Sequence, residues 1–211
     1  MRLDAGLHSI AGGANGLALA LSNGPAIEAD AVVLGVGLQA NDELARAAGL
    51  ACDGGVVVDA YCRTSAPDVY AAGDVAVMQV AAAGRPLRLE SWQNAQDQGA
   101  AAARAALGSE EPYVPSGAVW SEQYDTMIQS AGFLPRVAGE ALRPLPAQRG
   151  LLSVALDDEG RAVAGVAINA GRDFRQLRKW VAQRARLDPA LLARPDTPLA
   201  AAECRPATAA A

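Results

Sequence analysis

Three short stretches carry residue types that fit ligand chemistry. In "RTSAPDVYAAGDVAV", residues 63–77, the carboxylate of Asp74 stands directly behind Gly73 at the end of an apolar run. Asp disfavours strands and Gly weakens them, so folding alone places neither residue there. A strand ending at Ala72-Gly73 has its C-terminal edge where open α/β sheets bind ligands. Gly73 permits close backbone approach, and Asp74, with Val75 behind it, can accept hydrogen bonds from sugar or polyol hydroxyls. The same spacing equally fits a plain cap, with Asp74 ahead of a helix beginning at Val75. In "RLESWQNAQDQG", Glu90, Ser91 and Trp92 stand at the start of a long helix. Helix N-termini offer free N–H donors and a positive dipole end. Glu90 there is either dipole compensation or the neighbour of a bound group that becomes negative. Gly35-Val36-Gly37 closes a third apolar run, at a strand end against which a nucleotide can lie.

The elements that position these residues follow from pattern. "LALAL" (17–21) predicts a strand, Asn23-Gly24-Pro25 a turn, and "AVVLGVG" a second strand buried on both faces. Asn41 or Asp42 can cap a short helix "ELARAAGL" that Gly49 closes. "GGVVVDAY" predicts a further strand, and Pro67-Asp68 turns the chain into "VYAAG". Residues 92–107, dense in Ala and headed by Ser91, predict a helix. "GSEEPYVPSG" reads as a domain boundary. Beyond it "SEQYDTMIQSAGF" predicts a strand, and "LLSVALDDEGRAVAGVAIN" a hairpin turning at Asp158-Glu159-Gly160. "RDFRQLRKWVAQRARL" predicts a helix with Phe174, Leu177 and Val181 on one apolar stripe. A loose Ala- and Pro-rich tail is expected from about Pro195.

Composition bounds the function. The 211 residues are 51% hydrophobic and only 4% aromatic, so the core is small and aliphatic. A net charge of −5 argues against general nucleic-acid binding, which needs Lys and Arg to neutralise phosphates. No apolar run is long enough to span a bilayer, so a soluble, cytoplasmic protein without a membrane partner is expected. Cys52, Cys62 and Cys204 are few and far apart, with no Cys-x-x-Cys pair and hence no metal site or dithiol spelled out. His8, the single histidine, lies in a polar, Gly-rich opening and reads as a surface residue.

"ADAVVLGVGLQAN", "LARAAGLACDGGVVVDAYCRTSAPDVYAAGDV", "LESWQNAQDQG" and "VWSEQYD" occur in that order. Together they resemble the C-terminal half of the FAD-dependent NADH:ferredoxin reductases, the putidaredoxin- and rubredoxin-reductase-like flavoproteins. The nearest likeness is to reductase components of biphenyl-type aromatic-ring dioxygenases. "TSAPDVYAAGD" alone is shared with disulfide reductases and NADH oxidases, whereas "ESWQNAQDQ" joined to "WSEQYD" narrows the likeness. The resemblance implies an α/β fold: the C-terminal part of a Rossmann-like FAD/NAD(P)-binding flavoprotein, then an α+β C-terminal domain. It implies no catalytic side chain beyond the flavin. Gly73, Asp74 and Val75 would hold the ribityl and phosphate part of FAD, and the Trp92 backbone behind Ser91 the pyrimidine edge. Glu90 and Trp120 would border the nicotinamide, and Gly35, Val36 and Gly37 the rest of the NADH. Without a dithiol, the electron outlet would be an external carrier, a 2Fe–2S ferredoxin. Six of the chain's eighteen basic residues fall within 172–186, and Arg172, Arg175, Arg178 and Lys179 would face that acidic partner.

The family carries two G-x-G-x-x-G fingerprints, and this chain shows neither. Gly12-Gly13-Ala14-Asn15-Gly16 is a turn-like cluster instead. The expectation is therefore a truncated arrangement: 1–50 from the NADH domain, 51–110 from the FAD domain, 111–195 the C-terminal domain and 196–211 a flexible tail. Such a piece would bind FAD weakly and turn over NADH slowly on its own. Competing readings are an NADH oxidase or nitrite reductase-type flavoprotein module, and a non-catalytic remnant.

Overall fold

The computed structural model describes residues 2–13, 16–134 and 136–204. It divides into two compact units, Met1–Gln39 and Ala40–Ala211.

In the first unit, strands β1 (Leu7–Gly13), β2 (Gly16–Leu21) and β3 (Ile27–Ala29) form an antiparallel sheet in that order. Gly13 pairs with Gly16 across a hairpin whose expected turn residues Ala14 and Asn15 lie outside the described residues. The expected buried strand "AVVLGVG" does not form. The run is extended without ladder partners among the described residues, and Val33 and Val36 are 97% and 87% exposed. A doubly buried strand needs a neighbour on each side and a layer on each face, and the sheet of this unit ends at β3.

The second unit opens with helix α1 (Glu43–Ala47). Asp42 holds the N-cap position, but its carboxylate forms a two-pronged pair with Arg46 at 2.8 Å instead of capping. That guanidinium contact keeps its pKa below the ordinary carboxylate value. Gly49 then turns the chain at φ +76°. Strands β4 (Val56–Val58) and β5 (Ala76–Val80) pair in parallel, and β6 (Arg85–Arg88) joins β5 antiparallel. Here the strand follows Asp74. Residues Gly73–Val75 form one 3-10 turn, with neither a strand before it nor a helix after it. The chain reverses at Gly73, φ +77°, and the buried residues Ala76, Val77, Met78 and Val80 form the strand beyond.

Helix α2 (Trp92–Ala106) runs as expected behind Ser91. A five-stranded antiparallel sheet follows, in the order β7-β8-β11-β10-β9. Its strands are β7 (Val119–Gln123), β8 (Thr126–Gly132), β9 (Gly139–Leu145), β10 (Gly150–Leu156) and β11 (Ala162–Ile168). The single strand expected over 121–133 is a hairpin, because Tyr124 takes a left-handed φ of +56° and reverses the chain. β9 carries no strong alternation in sequence and was not expected.

Helix α3 (Gly171–Gln183) covers this sheet through Phe174, Leu177 and Trp180, and α4 (Pro189–Leu192) packs at its edge. The expected loose tail is docked as far as Cys204. The Arg143 guanidinium donates to the carbonyls of Leu192, Arg194, Pro195 and Thr197, and Ala202 is buried. Four backbone acceptors around one buried cation offset its desolvation.

Candidate functional site

The turn at Gly73–Val75 is held from two sides. Its Gly73 N–H donates to Gln98 Oε1 on α2 at 2.9 Å, and a side chain there would start 3.5 Å from the Ala95 methyl. On the other side a Cβ on Gly55 would stand 2.5 Å from the Val75 carbonyl oxygen, so only glycine fits. Asp74 is exposed, and its carbonyl accepts from Arg88 Nη1 at 3.1 Å. Arg88 Nη2 in turn pairs with Glu90 Oε1 at 2.7 Å. One guanidinium thus ties the turn to the lead-in of α2.

Ser91 begins that helix in extended backbone, φ −145°, and its Oγ accepts the Asn94 N–H at 3.2 Å. The Trp92 and Gln93 amides come before the first intrahelical acceptor and remain donors at the positive helix end. The Trp92 ring is 61% exposed and meets Trp120 of β7 edge to face, centroids 5.6 Å apart at 82°. Arg88 links the backbone of Asp74 to Glu90 at the lead-in of α2, and the ring pair links the start of α2 to β7. By type these residues offer donor, acceptor and stacking ring for a ligand with hydroxyls at one end and a planar ring at the other.

A buried polar chain stands behind this surface. Gln98, 1% exposed, also accepts from Asn94 Nδ2 at 3.2 Å, and its Nε2 meets Met78 Sδ at 3.6 Å. Asn94 Nδ2 also donates to the Leu89 carbonyl at 3.1 Å, and Asn94 Oδ1 accepts the Tyr113 hydroxyl at 2.9 Å. Burial, with the Asp97 and Cys62 charges added, pushes the Tyr113 hydroxyl up to about 12. Burial likewise raises the Cys62 thiol, which contacts the Gln98 carbonyl at 3.8 Å.

Gly73, Asp74, Val75, Glu90, Ser91, Trp92 and Trp120 therefore fall together. Gly35, Val36 and Gly37 belong to the other unit, in exposed chain without strand or helix. Sequence reasoning passed over Arg88, Asn94, Gln98 and Tyr113. The usable signal was Asn94 and Gln98, two amides one turn apart on the face of α2 that otherwise buries alanines. On α3, Arg172, Arg175, Arg178 and Lys179 are all exposed. Among the described residues no cluster of His, Cys, Asp or Glu is placed to hold a metal ion, and no helix is long and apolar enough to cross a membrane.

Two families match along the chain: "Pyridine nucleotide-disulphide oxidoreductase" over residues 1–99 and "Reductase C-terminal" over 118–202. The anthranilate 1,2-dioxygenase system ferredoxin--NAD(+) reductase component of Burkholderia cepacia is 39% identical over 188 residues. The chain is similar to these reductases across both family matches. The match takes in 89% of the chain and 46% of the Burkholderia protein, so the chain spans about half the length of that relative. Among solved reductases, the ferredoxin reductase for the CYP199A2 system of Rhodopseudomonas palustris superposes with a TM-score of 0.84 at 29% identity. It is matched over 95% of this chain and 50% of its own. The reductase in the covalent putidaredoxin reductase–putidaredoxin complex gives 0.81 at 29% identity, over 95% of this chain and 50% of that one. Such reductases bind FAD and NADH, and the mixed helix-and-sheet architecture with its reductase C-terminal domain is the one expected from sequence.

Proposed function

We propose that this chain supplies the flavin-ring half of an NADH-dependent, FAD-containing ferredoxin reductase. In this reading 1–50 belong to the NADH-binding domain, 51–110 to the FAD-binding domain and 111–195 to the C-terminal domain. The observation that carries it is the clamp on Gly73–Val75. Gln98 holds the Gly73 amide to α2, Gly55 packs on the Val75 carbonyl, and Arg88 bridges the Asp74 carbonyl to Glu90 just ahead of Trp92. These residues fit FAD by type: an exposed carboxylate at Asp74 for ribityl hydroxyls, on a turn that packs so closely on Gly55 that a Cβ there would stand 2.5 Å from the Val75 carbonyl oxygen. When bound, FAD supplies the uptake of two electrons from NADH and their release one at a time to an iron–sulfur protein.

The residues do the rest. Asp74 accepts from ribityl hydroxyls, with the Val75 amide toward the phosphate side. The Trp92 amide, at the positive end of α2, favours negative charge developing at the pyrimidine edge. Glu90, oriented by Arg88, and Trp120, propped edge-on by Trp92, border the nicotinamide and exclude water from its face. The acceptor is a 2Fe–2S ferredoxin of a ring-hydroxylating or P450 system, met by Arg172, Arg175, Arg178 and Lys179 in the cytoplasm.

A chimera tests this, with residues 17–204 replacing the matching part of the Burkholderia reductase. It should load FAD and reduce ferredoxin with NADH. Asp74→Ala should weaken FAD binding by about ten-fold, the worth of one hydrogen bond to a charged group. A folded chimera that stays free of FAD sinks the reading, and equal affinity with Ala at 74 sinks the role of Asp74. Reversing charge at Arg175 and Arg178 should slow ferredoxin reduction and flatten its salt dependence. Unchanged kinetics would remove the basic helix from the contact.

A further inference from the structure

A cleft of about 700 Å³ lies between α3, the connector at 114–116 and the end of the five-stranded sheet where β8 finishes and β11 begins. Ala131, Gly132, Ala162 and Val163 form its floor, and Val114, Pro115 and Phe133 one wall. The other wall is a face of α3: Arg175, Arg178, Lys179 and Ala182, at i, i+3, i+4 and i+7. Phe174, Leu177 and Trp180 already commit a different face of that helix to the core. The cationic face is therefore not required to hold α3 on the sheet.

Its charges also differ from the paired cations of this chain. Arg46, Arg149 and Arg161 each find a carboxylate, and Arg184, also lining the cleft, is held by Asp157 at 2.6 Å. Arg175, Arg178 and Lys179 form no ion pair among the described residues and are exposed beside one another. Like charges at this spacing repel, and an anion placed between them relieves the repulsion. A mostly apolar recess of this volume with a few convergent charges is the usual form of a small-molecule site.

We propose that this cleft binds an amphipathic organic anion: a carboxylate on an aryl or short acyl body. The body lies on Ala131, Val163 and Phe133, and the carboxylate sits among Arg175, Arg178 and Lys179, where guanidinium-to-carboxylate bonds are strong. An acidic protein surface needs the cations but leaves the apolar floor uncovered, and the floor is what selects the small amphiphile. The inference does not rest on the flavin reading, and it has a consequence for it. A bound anion masks the same cations that would meet a ferredoxin.

Calorimetric titration of the protein with 2-naphthoate, at low ionic strength, tests the proposal. The uncharged 2-naphthamide and inorganic phosphate serve as partial ligands. Saturable one-to-one binding of naphthoate is expected, with both partial ligands weaker by about ten-fold or more. Replacing Arg175, Arg178 and Lys179 together by Ala should weaken naphthoate to the level of the amide. These side chains are exposed, so the variant should keep its melting temperature. Ala182→Trp, which fills the cleft from an exposed helix position, should abolish binding. Absence of saturable binding, equal affinity for acid and amide, equal affinity for phosphate, or wild-type affinity in a folded Ala182→Trp protein each overturns it.

Discussion

Helices α2 and α3 are alike in length, α3 covering the five-stranded sheet and α2 packing on the Gly73–Val75 turn, yet they are anchored by opposite chemistry. α3 buries Phe174, Leu177 and Trp180. α2 buries only Ala101, Ala102 and Ala105 among side chains without polar atoms, and fills the rest of its inner face with Asn94 and Gln98. Apolar burial scales with area, so the large side chains of α3 hold it strongly. Alanine offers little area, and α2 is located by hydrogen bonds whose distance and angle leave little slack. The contrast matches what each helix carries. α2 starts at Trp92 and fixes the turn bearing Asp74, where a shift of an ångström matters. α3 has to keep a sheet covered.

The largest effect that breaks this comparison is expected on the apolar side. Trp180 is fully buried, and its Nε1 donates to Glu203 Oε2 at 3.0 Å. Trp180→Ala should cost about 3–5 kcal/mol, read as a lowered urea midpoint. A loss below about 1 kcal/mol would show that α3 is not the anchor its burial indicates.

Gln98→Leu comes next. It removes the acceptor for Gly73 N–H and for Asn94 Nδ2 in a buried place, at about 1–3 kcal/mol. The stability change is smaller than for Trp180, but the effect is local. Hydrogen exchange at the Gly73 amide should accelerate well beyond that at β10 amides. Unchanged protection at Gly73 would dissolve the distinction between the two helices. Ser91→Ala is a milder probe of the same end of α2, at about 1 kcal/mol for a lost cap.

What could be read beforehand divides along the same line. α3, Phe174 and Leu177 of its stripe and the hairpin at Asp158-Glu159-Gly160 follow from periodicity and turn chemistry. The third expected stripe residue, Val181, is only half-buried, and Trp180 takes the buried place. The extent of α2 and its Ser91 cap were legible for another reason, alanine density and cap chemistry. The clamp on Gly73 was not. It joins residues 25 apart through one side-chain amide, and no local pattern encodes such a contact. The strand misplaced before Gly73 has a related cause. "VYAAG" and "VAVMQV" are both apolar runs, and only the left-handed Gly73 decides which of them pairs with β4. "AVVLGVG" shows the converse error, since an apolar run predicts a buried strand only where partner strands exist. Asp74, Trp92 and Trp120 were picked out by residue type and resemblance. That the Arg88–Glu90 pair and the Trp92–Trp120 contact link them required coordinates.

The smallest effect is a matter of pH. Tyr113 closes the polar chain behind α2 through Asn94, and its hydroxyl is pushed from an ordinary 10.0 up to about 12, chiefly by burial. The native state then holds this proton more tightly than the unfolded chain. The stabilisation is complete below about pH 10 and is lost as the pH rises toward 12. Cys62, raised in the same direction by burial, adds to the alkaline loss but is common to wild type and to Tyr113→Phe. The variant should lose about 0.5–1.5 kcal/mol at neutral pH with the Asn94 bond. Its urea midpoint should then fall less steeply than that of wild type through the alkaline range. The buried face of α3, Phe174, Leu177 and Trp180, has no group that titrates there. A steeper alkaline fall in wild type than in Tyr113→Phe therefore reports on the α2 side alone. Parallel curves would mean that the polar chain behind α2 does not hold Tyr113 in its neutral form.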